Sequence, residues 1–353
     1  MLGTWYESAP FRELDPAAKD SLLDHPTEPT KASEAVNAAA QESLRQKFYN
    51  ATIVARIDAH EHLARFRIRP DAGVPRFQPG QYVALGLGYW EPRVVGAQAE
   101  TVPEKKRRKV VRRAYSICCP MLGPDGRLAC CEDVDYLEFY VTLVRYADAA
   151  TEPAPALTPR LFRLQAGDRV AIAPKIVGSY TLAGVAPEED VVMLGTGTGE
   201  APHNAMAAKL LRSGHRGRIV IATTVRYLGD LAYRDIHSQL MRQHSNFIYL
   251  PLTTREPHNT DPNDPHYVGK EYLQEMFATG TLERRAGIEM SPAKTHVFLC
   301  GNPAMIGYVP PGAPPWKSPG MLQLLEARGF RHHEQAHHEQ APGPGTIRFE
   351  KYW

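Results

Sequence analysis

The chain changes its pattern of apolar residues near Pro187, and this change constrains the fold more than any other feature. Before Pro187, apolar stretches such as QYVALGL, LEFYVTLVRY and DRVAIAPK follow one another with only Gly, Pro and Asp turns between them. Within HLARFRIRP, Ala64, Phe66 and Ile68 alternate with arginines, which is the period of a half-buried strand. A run of strands without intervening helices predicts a closed antiparallel barrel.

After Pro187, apolar strands alternate with helical stretches. DVVMLGTGTG precedes the helical HNAMAAKLLRSG, RIVIATTV precedes DLAYRDIHSQLMRQH, and THVFLCGNP precedes SPGMLQLLEARGF. This alternation predicts a parallel sheet with right-handed crossovers. We therefore predict two domains, a β-barrel over residues 48–187 and an α/β domain over residues 188–353. They follow an N-terminal extension, residues 1–47, which is partly helical because KASEAVNAAAQESLRQKF is rich in alanine and glutamate.

Composition narrows the class of protein. A hydrophobic fraction of 43% with 23% charged residues is typical of globular proteins, and a net charge of +2 argues against a nucleic-acid coat. No apolar run reaches the roughly 18 residues of a membrane span, and the first residues lack the layout of a secretory signal. The five cysteines do not form a spaced disulfide framework. We therefore expect a cytoplasmic protein that binds neither membrane nor nucleic acid.

The stretch LGTGTGEAP, residues 194–202, carries a strand into a glycine turn before a helix. Glycines such as Gly195 and Gly197 let a backbone approach a ligand closely, and the free N–H groups of the following helix suit a pyrophosphate. Such turns are also common structural devices, so the motif by itself leaves both interpretations open.

Cations follow the next two strands of the α/β domain. The strand RIVIATTV ends at Arg226 without the carboxylate that would bind the ribose of NAD, and the third strand ends near Arg255. Lys270 follows in YVGKEYL. Cations there suit a 2′-phosphate and favour NADP over NAD, with solvated surface charges as the alternative.

A second candidate site lies in RAYSICC. On a strand, Arg113 and Tyr115 share one face, and Ala114 and Ser116 share the other. An arginine, a flat ring and a hydroxyl close together can hold a phosphate, an aromatic ring system and a ring nitrogen.

These motifs together resemble a known family. FQPGQYVALGL, RAYS, LEFYVTLV, LTPRL, GDRVAIAPKIVGSYTL, MLGTGTGEAP, DLAY, THVFLCGNPAM and the terminal EKYW occur in the order typical of bacterial-type ferredoxin (flavodoxin)–NADP reductases. The resemblance covers about residues 48–353 apart from insertions. It implies that the barrel binds FAD and that the α/β domain binds NADP(H).

The resemblance also implies individual roles. Arg113 would hold the FAD pyrophosphate, and Ser116 would lie near the reactive nitrogen of the flavin. Cys300 would lie near the nicotinamide carbon that gives up hydride, and Glu350 would take part in proton transfer. The aromatic end would fold back over FAD, with packing of the two rings into the protein core as the alternative. The further residues implied for FAD are Ala114, Tyr115, Phe139, Tyr140, Val141, Thr142, Ala156, Leu157, Thr158, Thr198, Tyr352 and Trp353, and those implied for the 2′-phosphate are Arg226, Thr254, Arg255 and Lys270.

The chain also departs from the family. Glu200 and His203 interrupt a turn that is usually apolar, and because a buried unpaired carboxylate is costly, we expect Glu200 to face solvent or the nicotinamide pocket. Insertions fall near residues 88–112, 120–134, 307–317 and 331–345. We expect surface loops there.

Three weaker signals remain. The basic run EKKRRKVVRR, residues 104–113, is either a solvated loop or a docking face for an acidic electron carrier. Cys118–Cys119 and Cys130–Cys131 flank a predicted hairpin, and we predict no metal there because adjacent cysteines on a strand point to opposite faces. The histidines of HHEQAHHEQ are expected in a polar loop.

The favoured hypothesis is an oxidoreductase that transfers electrons between NADP(H) and ferredoxin or flavodoxin by hydride exchange with FAD. The chain shows no motif for an iron–sulfur cluster, which favours a separate acidic protein as the electron carrier. We expect the chain to be a monomer. One alternative is an NADPH-dependent reductase for an oxygenase, a quinone or free flavin. Another is a non-catalytic flavin or nucleotide sensor.

Overall fold

The computed structural model describes residues 31–149, 152–310, 312–332 and 343–351. The chain forms two compact units, residues 1–42 and residues 43–353. The described part of the first unit is helical and belongs to α1, Lys31–Phe48. This helix has the bounds that the alanine-rich sequence predicts.

The first half of the second unit consists of short strands joined without long helices, as predicted. The only α-helix described there after α1 is a single turn, α2 (Thr158–Leu161). The strands are β1 (Ala51–His60), β2 (Leu63–Pro70), β3 (Tyr82–Gly88), β4 (Val110–Ser116), β5 (Met121–Leu122), β6 (Leu128–Ala129), β7 (Leu137–Thr142) and β8 (Arg169–Ile172).

Six of these strands form an antiparallel sheet in the order β4-β3-β8-β1-β2-β7, and β5 and β6 form the predicted hairpin. The alternation predicted for β2 is confirmed, since Ala64, Phe66 and Ile68 are fully buried in the core. Just past β4, the amide of Cys118 donates to the carbonyl of Glu138 on β7 at 2.8 Å. This bridge joins the two edge strands and closes the predicted barrel.

The second half contains a parallel sheet in the order β11-β10-β9-β12-β14-β13. Two of its strands, β10 and β12, are buried along their whole length, as expected where helices cover both faces. Its elements are β9 (Asp190–Thr196), α3 (Glu200–Arg212), β10 (Ile219–Val225), α4 (Arg234–Gln243), β11 (Phe247–Thr253), α5 (Pro257–Thr260), α6 (Leu273–Ala278), α7 (Thr281–Ala286), β12 (Thr295–Gly301), α8 (Pro303–Ile306), α9 (Met321–Ala327), β13 (Arg331–His332) and β14 (Thr346–Lys351).

The fold class is therefore the predicted one, an antiparallel barrel followed by an α/β parallel sheet. The domain boundary at residues 187 and 188 stays a prediction. It falls between the last barrel strand, which ends at Ile172, and the first parallel strand, which begins at Asp190. Within the described part of the chain, every helix is too short or too polar to cross a membrane.

The insertion at residues 88–112 is anchored at its beginning. The carboxylate of Glu91, which is 4% exposed, accepts hydrogen bonds from the Arg45 guanidinium at 2.6 and 2.8 Å. It also accepts from the Tyr49 hydroxyl at 2.9 Å. The last turn of α1 thus holds the start of this insertion against the barrel. Residues 333–342, most of the histidine-rich insertion, lie outside the described residues.

Candidate functional site

A glycine turn connects β9 to α3 at the carboxyl end of the parallel sheet. Residues Gly197–Gly199 form a single 3₁₀ turn, and Gly197 has a φ of 54°, a conformation that L side chains rarely adopt. A Cβ on Gly199 would lie 2.4 Å from the carbonyl oxygen of Cys300. The turn therefore requires glycine for close packing, and Thr198 at its centre remains partly exposed.

The turn lies at the point where the strand order of the sheet reverses. The strands after β9 along the chain, β10 and β11, lie on one side of it, and β12 lies on the other. The amide of Asn302 donates to the Thr196 hydroxyl at 2.7 Å, and Gly301, with a φ of 119°, packs against the same hydroxyl. Open α/β sheets bind ligands in the crevice at this position, so the geometry favours a nucleotide here.

Two of the three predicted catalytic residues lie side by side in this sheet. Cys300 on β12 is fully buried, and its register partners are Gly195 on β9 and Glu350 on β14. Burial raises the pKa of the Glu350 carboxyl, although Lys351 opposes the shift. The third residue, Ser116, lies at the end of barrel strand β4 and is 5% exposed.

The structure brings the predicted 2′-phosphate residues together at the carboxyl ends of β10 and β11. The carbonyl of Arg226 accepts from the amide of Arg255 at 2.9 Å, and the Thr254 hydroxyl donates to the carbonyl of Val225 at 3.2 Å. Lys270 precedes Glu271, whose amide donates to the carbonyl of Thr253, the last residue of β11, at 3.2 Å. The side chains of Arg226, Arg255 and Lys270 are exposed.

On the barrel, β4 presents the predicted FAD residues at its edge. Arg113 and Ala114 are exposed and Tyr115 is half-buried. Burial raises the pKa of the Tyr115 phenol, which therefore stays neutral. Arg113 also lines an open cavity of about 310 Å³, whose other lining residues are Tyr89, Lys105, Lys106, Lys109, Val110, Val111 and Arg112. A cavity with five cations and no carboxylate fits the phosphates of a dinucleotide.

Other predicted FAD residues face the interior instead. Phe139 and Val141 of β7 are at most 1% exposed and belong to the barrel core, so only their backbone can reach a ligand. Tyr140 is also buried, and Thr142 is exposed. The Thr158 hydroxyl bonds to the backbone of Val144, and the two residues before it, Ala156 and Leu157, are buried.

The aromatic end, Tyr352 and Trp353, lies outside the described residues, as do His333, His337 and His338. The predicted stacking of the tail on FAD therefore stays a prediction.

For Glu200, the expectation that the side chain faces solvent is wrong, and the alternative that it faces the nicotinamide pocket stays a prediction. The side chain is fully buried rather than facing solvent, and it accepts a hydrogen bond from His237 on α4 at 2.7 Å. His237 in turn stacks on Tyr249 with ring centroids 4.0 Å apart. His203 is equally buried and bonds to the Tyr180 hydroxyl at 2.8 Å, and burial lowers the pKa of His203 to about 3. The compensating partner of Glu200 stands 37 residues away, where local spacing gives no signal.

The cysteine cluster shows no metal-site geometry. All five cysteines are buried, and burial raises the pKa of the thiols of Cys118, Cys119 and Cys130. Among the residues that the structure describes, no three or more His, Cys, Asp or Glu side chains converge as metal ligands.

Comparison with known proteins agrees with this architecture. Residues 193–310 match the family described as the oxidoreductase NAD-binding domain. The chain is 26% identical over 256 residues to a ferredoxin–NADP reductase from Pseudomonas aeruginosa, covering 70% of this chain and 81% of that protein. It is 26% identical over 289 residues to a flavodoxin/ferredoxin–NADP reductase from Buchnera aphidicola, covering 82% and 92%.

Solved structures agree on the fold. A ferredoxin NADP⁺ reductase from Neisseria gonorrhoeae, solved with bound FAD and NADP, superposes with a TM-score of 0.62 at 21% identity. The superposition covers 87% of this chain and 99% of that one. The chain therefore has the ferredoxin–NADP reductase fold, contains an oxidoreductase NAD-binding domain, and resembles in sequence the bacterial ferredoxin (flavodoxin)–NADP reductases.

Proposed function

We propose that this chain is a flavin-dependent oxidoreductase that transfers electrons between NADP(H) and a one-electron carrier protein, ferredoxin or flavodoxin. The observation that carries this conclusion is the crevice at the reversal of strand order. There the glycine turn packs directly on the Cys300 carbonyl, while the two arginines Arg226 and Arg255 are hydrogen-bonded neighbours at the ends of β10 and β11. The same crevice thus offers a backbone that a ligand can approach closely and cationic side chains that can bind its phosphate.

The residues on β4 fit FAD. Arg113 would neutralise the pyrophosphate, and the cation-lined cavity beside it offers room for further phosphate and ribose groups. The neutral phenol of Tyr115 would lie against the ring system, and the Ser116 hydroxyl would hydrogen-bond its edge. When bound, FAD would supply the exchange of one hydride for two single electrons, which side chains do not provide.

The carboxyl edge of the sheet fits NADP(H). Arg226 and Arg255 would grip the 2′-phosphate in a planar, bidentate manner, while Lys270 would act as a point charge. Glu350, whose pKa is raised by burial, would hold its proton at a higher pH than an ordinary carboxyl and so could deliver it close to Cys300.

The basic run supplies the docking face of this proposal. Residues 104–109 are all exposed and include Lys105, Arg108 and Lys109. An acidic carrier would be steered toward the strand that carries the FAD residues, because this run leads directly into β4. The proposal keeps the expectation of a cytoplasmic monomer.

An anaerobic titration of the purified protein tests the proposal. We expect a yellow protein whose visible absorbance NADPH bleaches at far lower concentration than NADH does. The reduced protein should then pass electrons to ferredoxin or flavodoxin faster than to a quinone or free flavin at equal concentration. A protein that neither retains nor reconstitutes flavin would refute the enzyme assignment, and preference for a small acceptor would refute the carrier.

A further inference from the structure

Residues 230–233, with the sequence DLAY, connect the α/β half to the barrel. This DLAY segment lies between β10 and α4. It is one of the motifs behind the family resemblance, yet the chemistry proposed above gives none of its residues a task. Its contacts show that it is a structural joint between the two halves.

Tyr233 makes the deepest of these contacts. Its side chain is fully buried, and its hydroxyl donates to the Glu138 carboxylate of β7 at 2.7 Å. The same hydroxyl accepts from the Cys118 thiol at 3.1 Å. Arg67 of β2 pairs with Glu138 at 2.7 Å, and the Arg65 guanidinium lies 4.8 Å from the Tyr233 ring centroid. Three barrel residues therefore contact one side chain of the α/β half directly, and Arg67 supports the contact through Glu138.

Asp230 forms a second link. Its carbonyl accepts from the Tyr140 hydroxyl of β7 at 2.6 Å, and its carboxylate lies 3.0 Å from His60 Nε2. The carboxylate also accepts from the amide of Tyr227 at 3.0 Å. Tyr227 directly follows Arg226, the residue predicted to hold the 2′-phosphate. Asp230 and Tyr227 therefore connect Arg226 to β7, the strand predicted to line FAD.

We propose that Tyr233 is a positioning residue that fixes the nucleotide-binding half against strand β7 and thereby sets the approach of the nicotinamide to the flavin. The inference rests on the proposed function. Hydride transfer requires reacting atoms about 3–3.5 Å apart, and a 1 Å misplacement can cost about 100-fold in rate. Without the Tyr233 hydroxyl, a buried oxygen of Glu138 loses its donor, so the joint has to rearrange.

The test is the Tyr233→Phe variant, which removes one oxygen and keeps the ring. Anaerobic stopped-flow should show that NADPH reduces the bound flavin between about 5- and 100-fold more slowly than in the wild type. The charge-transfer absorbance of the nicotinamide–flavin complex should weaken. The FAD content and the affinity for 2′-phospho-AMP should not change, because Arg113 and the Arg226–Arg255 pair stay in place.

Tyr249→Phe is the matched control. Tyr249 is a buried tyrosine of the same α/β half, 4% exposed on β11, and its ring stacks on His237 rather than on the barrel. We expect a wild-type rate of flavin reduction for this variant, even where its melting temperature falls.

A Tyr233→Phe protein with a lower melting temperature but the wild-type rate would overturn the inference, because the contact would then only stabilise the fold. Should Tyr233→Phe fail to fold, Tyr140→Phe removes the hydrogen bond from β7 to the Asp230 carbonyl, and a rate within twofold of the wild type would overturn the inference equally. If NADPH does not reduce the flavin of the wild-type protein at all, that result would refute the proposed function, and this inference would fall with it.

Discussion

At the residue scale, the raised pKa of Glu350 predicts how the stability of the fold changes with pH. Burial favours the neutral carboxyl, so the folded protein binds this proton more tightly than the unfolded chain does. The stability that this proton contributes to the fold is present at low pH and is lost as the pH rises through the folded-state pKa. Glu350→Gln, which mimics the neutral acid, should therefore raise the free energy of unfolding at neutral pH.

The same variant should slow the step in which Glu350 transfers its proton, and it should remove the limb of a titrating carboxyl from the pH–rate profile of that step. Chemical denaturation and stopped-flow, each at several pH values, measure the two effects. Glu326→Gln, at an exposed position on α9, is the control and should change neither. A variant with an unaltered pH profile would exclude Glu350 from proton transfer.

Arg226→Ala tests the nucleotide preference. Because a charge-assisted hydrogen bond to phosphate contributes about 1.5–3 kcal/mol, the affinity for NADPH should fall by about 10- to 100-fold, while NADH binding stays the same. Anaerobic titrations with both nucleotides measure this, and Arg242→Ala on the exposed end of α4 is the control. Equal losses for NADPH and NADH would show that Arg226 does not contact the 2′-phosphate.

At the scale of elements, the insertion at residues 88–112 depends on one carboxylate. Burial alone would raise the pKa of Glu91, but the hydrogen bonds from Arg45 and Tyr49 outweigh it and lower the pKa. Glu91→Ala should lower the free energy of unfolding by about 2 kcal/mol, less than a fully buried pair, since Arg45 is partly exposed.

Urea denaturation measures this loss, with Glu104→Ala as the control because the Glu104–Arg107 pair is exposed. The stabilisation by Glu91 should also disappear as the pH falls through its lowered folded-state pKa. Equal stability of the two variants at neutral pH would show that α1 does not anchor the insertion.

The sequence predicts those helices and strands that are long enough to show a regular period of apolar residues. The alternation of β2 and the apolar runs of β9, β10 and β12 predict strands because period and burial agree over seven or more residues. The short helices α5, α6 and α7, of four to six residues, gave no such signal because a 3.6-residue period needs a longer window. The residues predicted to bind the 2′-phosphate stay a prediction. Chain order alone shows that Arg226 and Arg255 follow strand ends, whereas the resemblance alone implies Thr254.

At the scale of the whole molecule, the sequence predicts the two sheets but not how they are joined. Tyr233 and Glu138 stand 95 residues apart, and Glu200 and His237 stand 37 apart. Such pairs depend on the packing of finished elements, which no local pattern describes. The Glu200 error arose in this way, since its cost on burial was judged correctly but its partner could not be located.

In the proposed function, the basic run, residues 104–113, steers an acidic electron carrier toward the flavin site. Arg108→Glu reverses an exposed charge on the basic run without touching the cation-lined cavity. At low ionic strength, kcat/KM for an acidic ferredoxin or flavodoxin should fall about 10-fold, and the difference from the wild type should shrink as salt screens the charges. The rate of flavin reduction by NADPH should not change, because that step needs no carrier.

Arg127→Glu makes the same reversal on the exposed β5–β6 hairpin and should leave kcat/KM nearly unchanged. Equal, salt-sensitive losses in both variants would show that net charge attracts the carrier, and no loss in either would move the docking face away from the basic run.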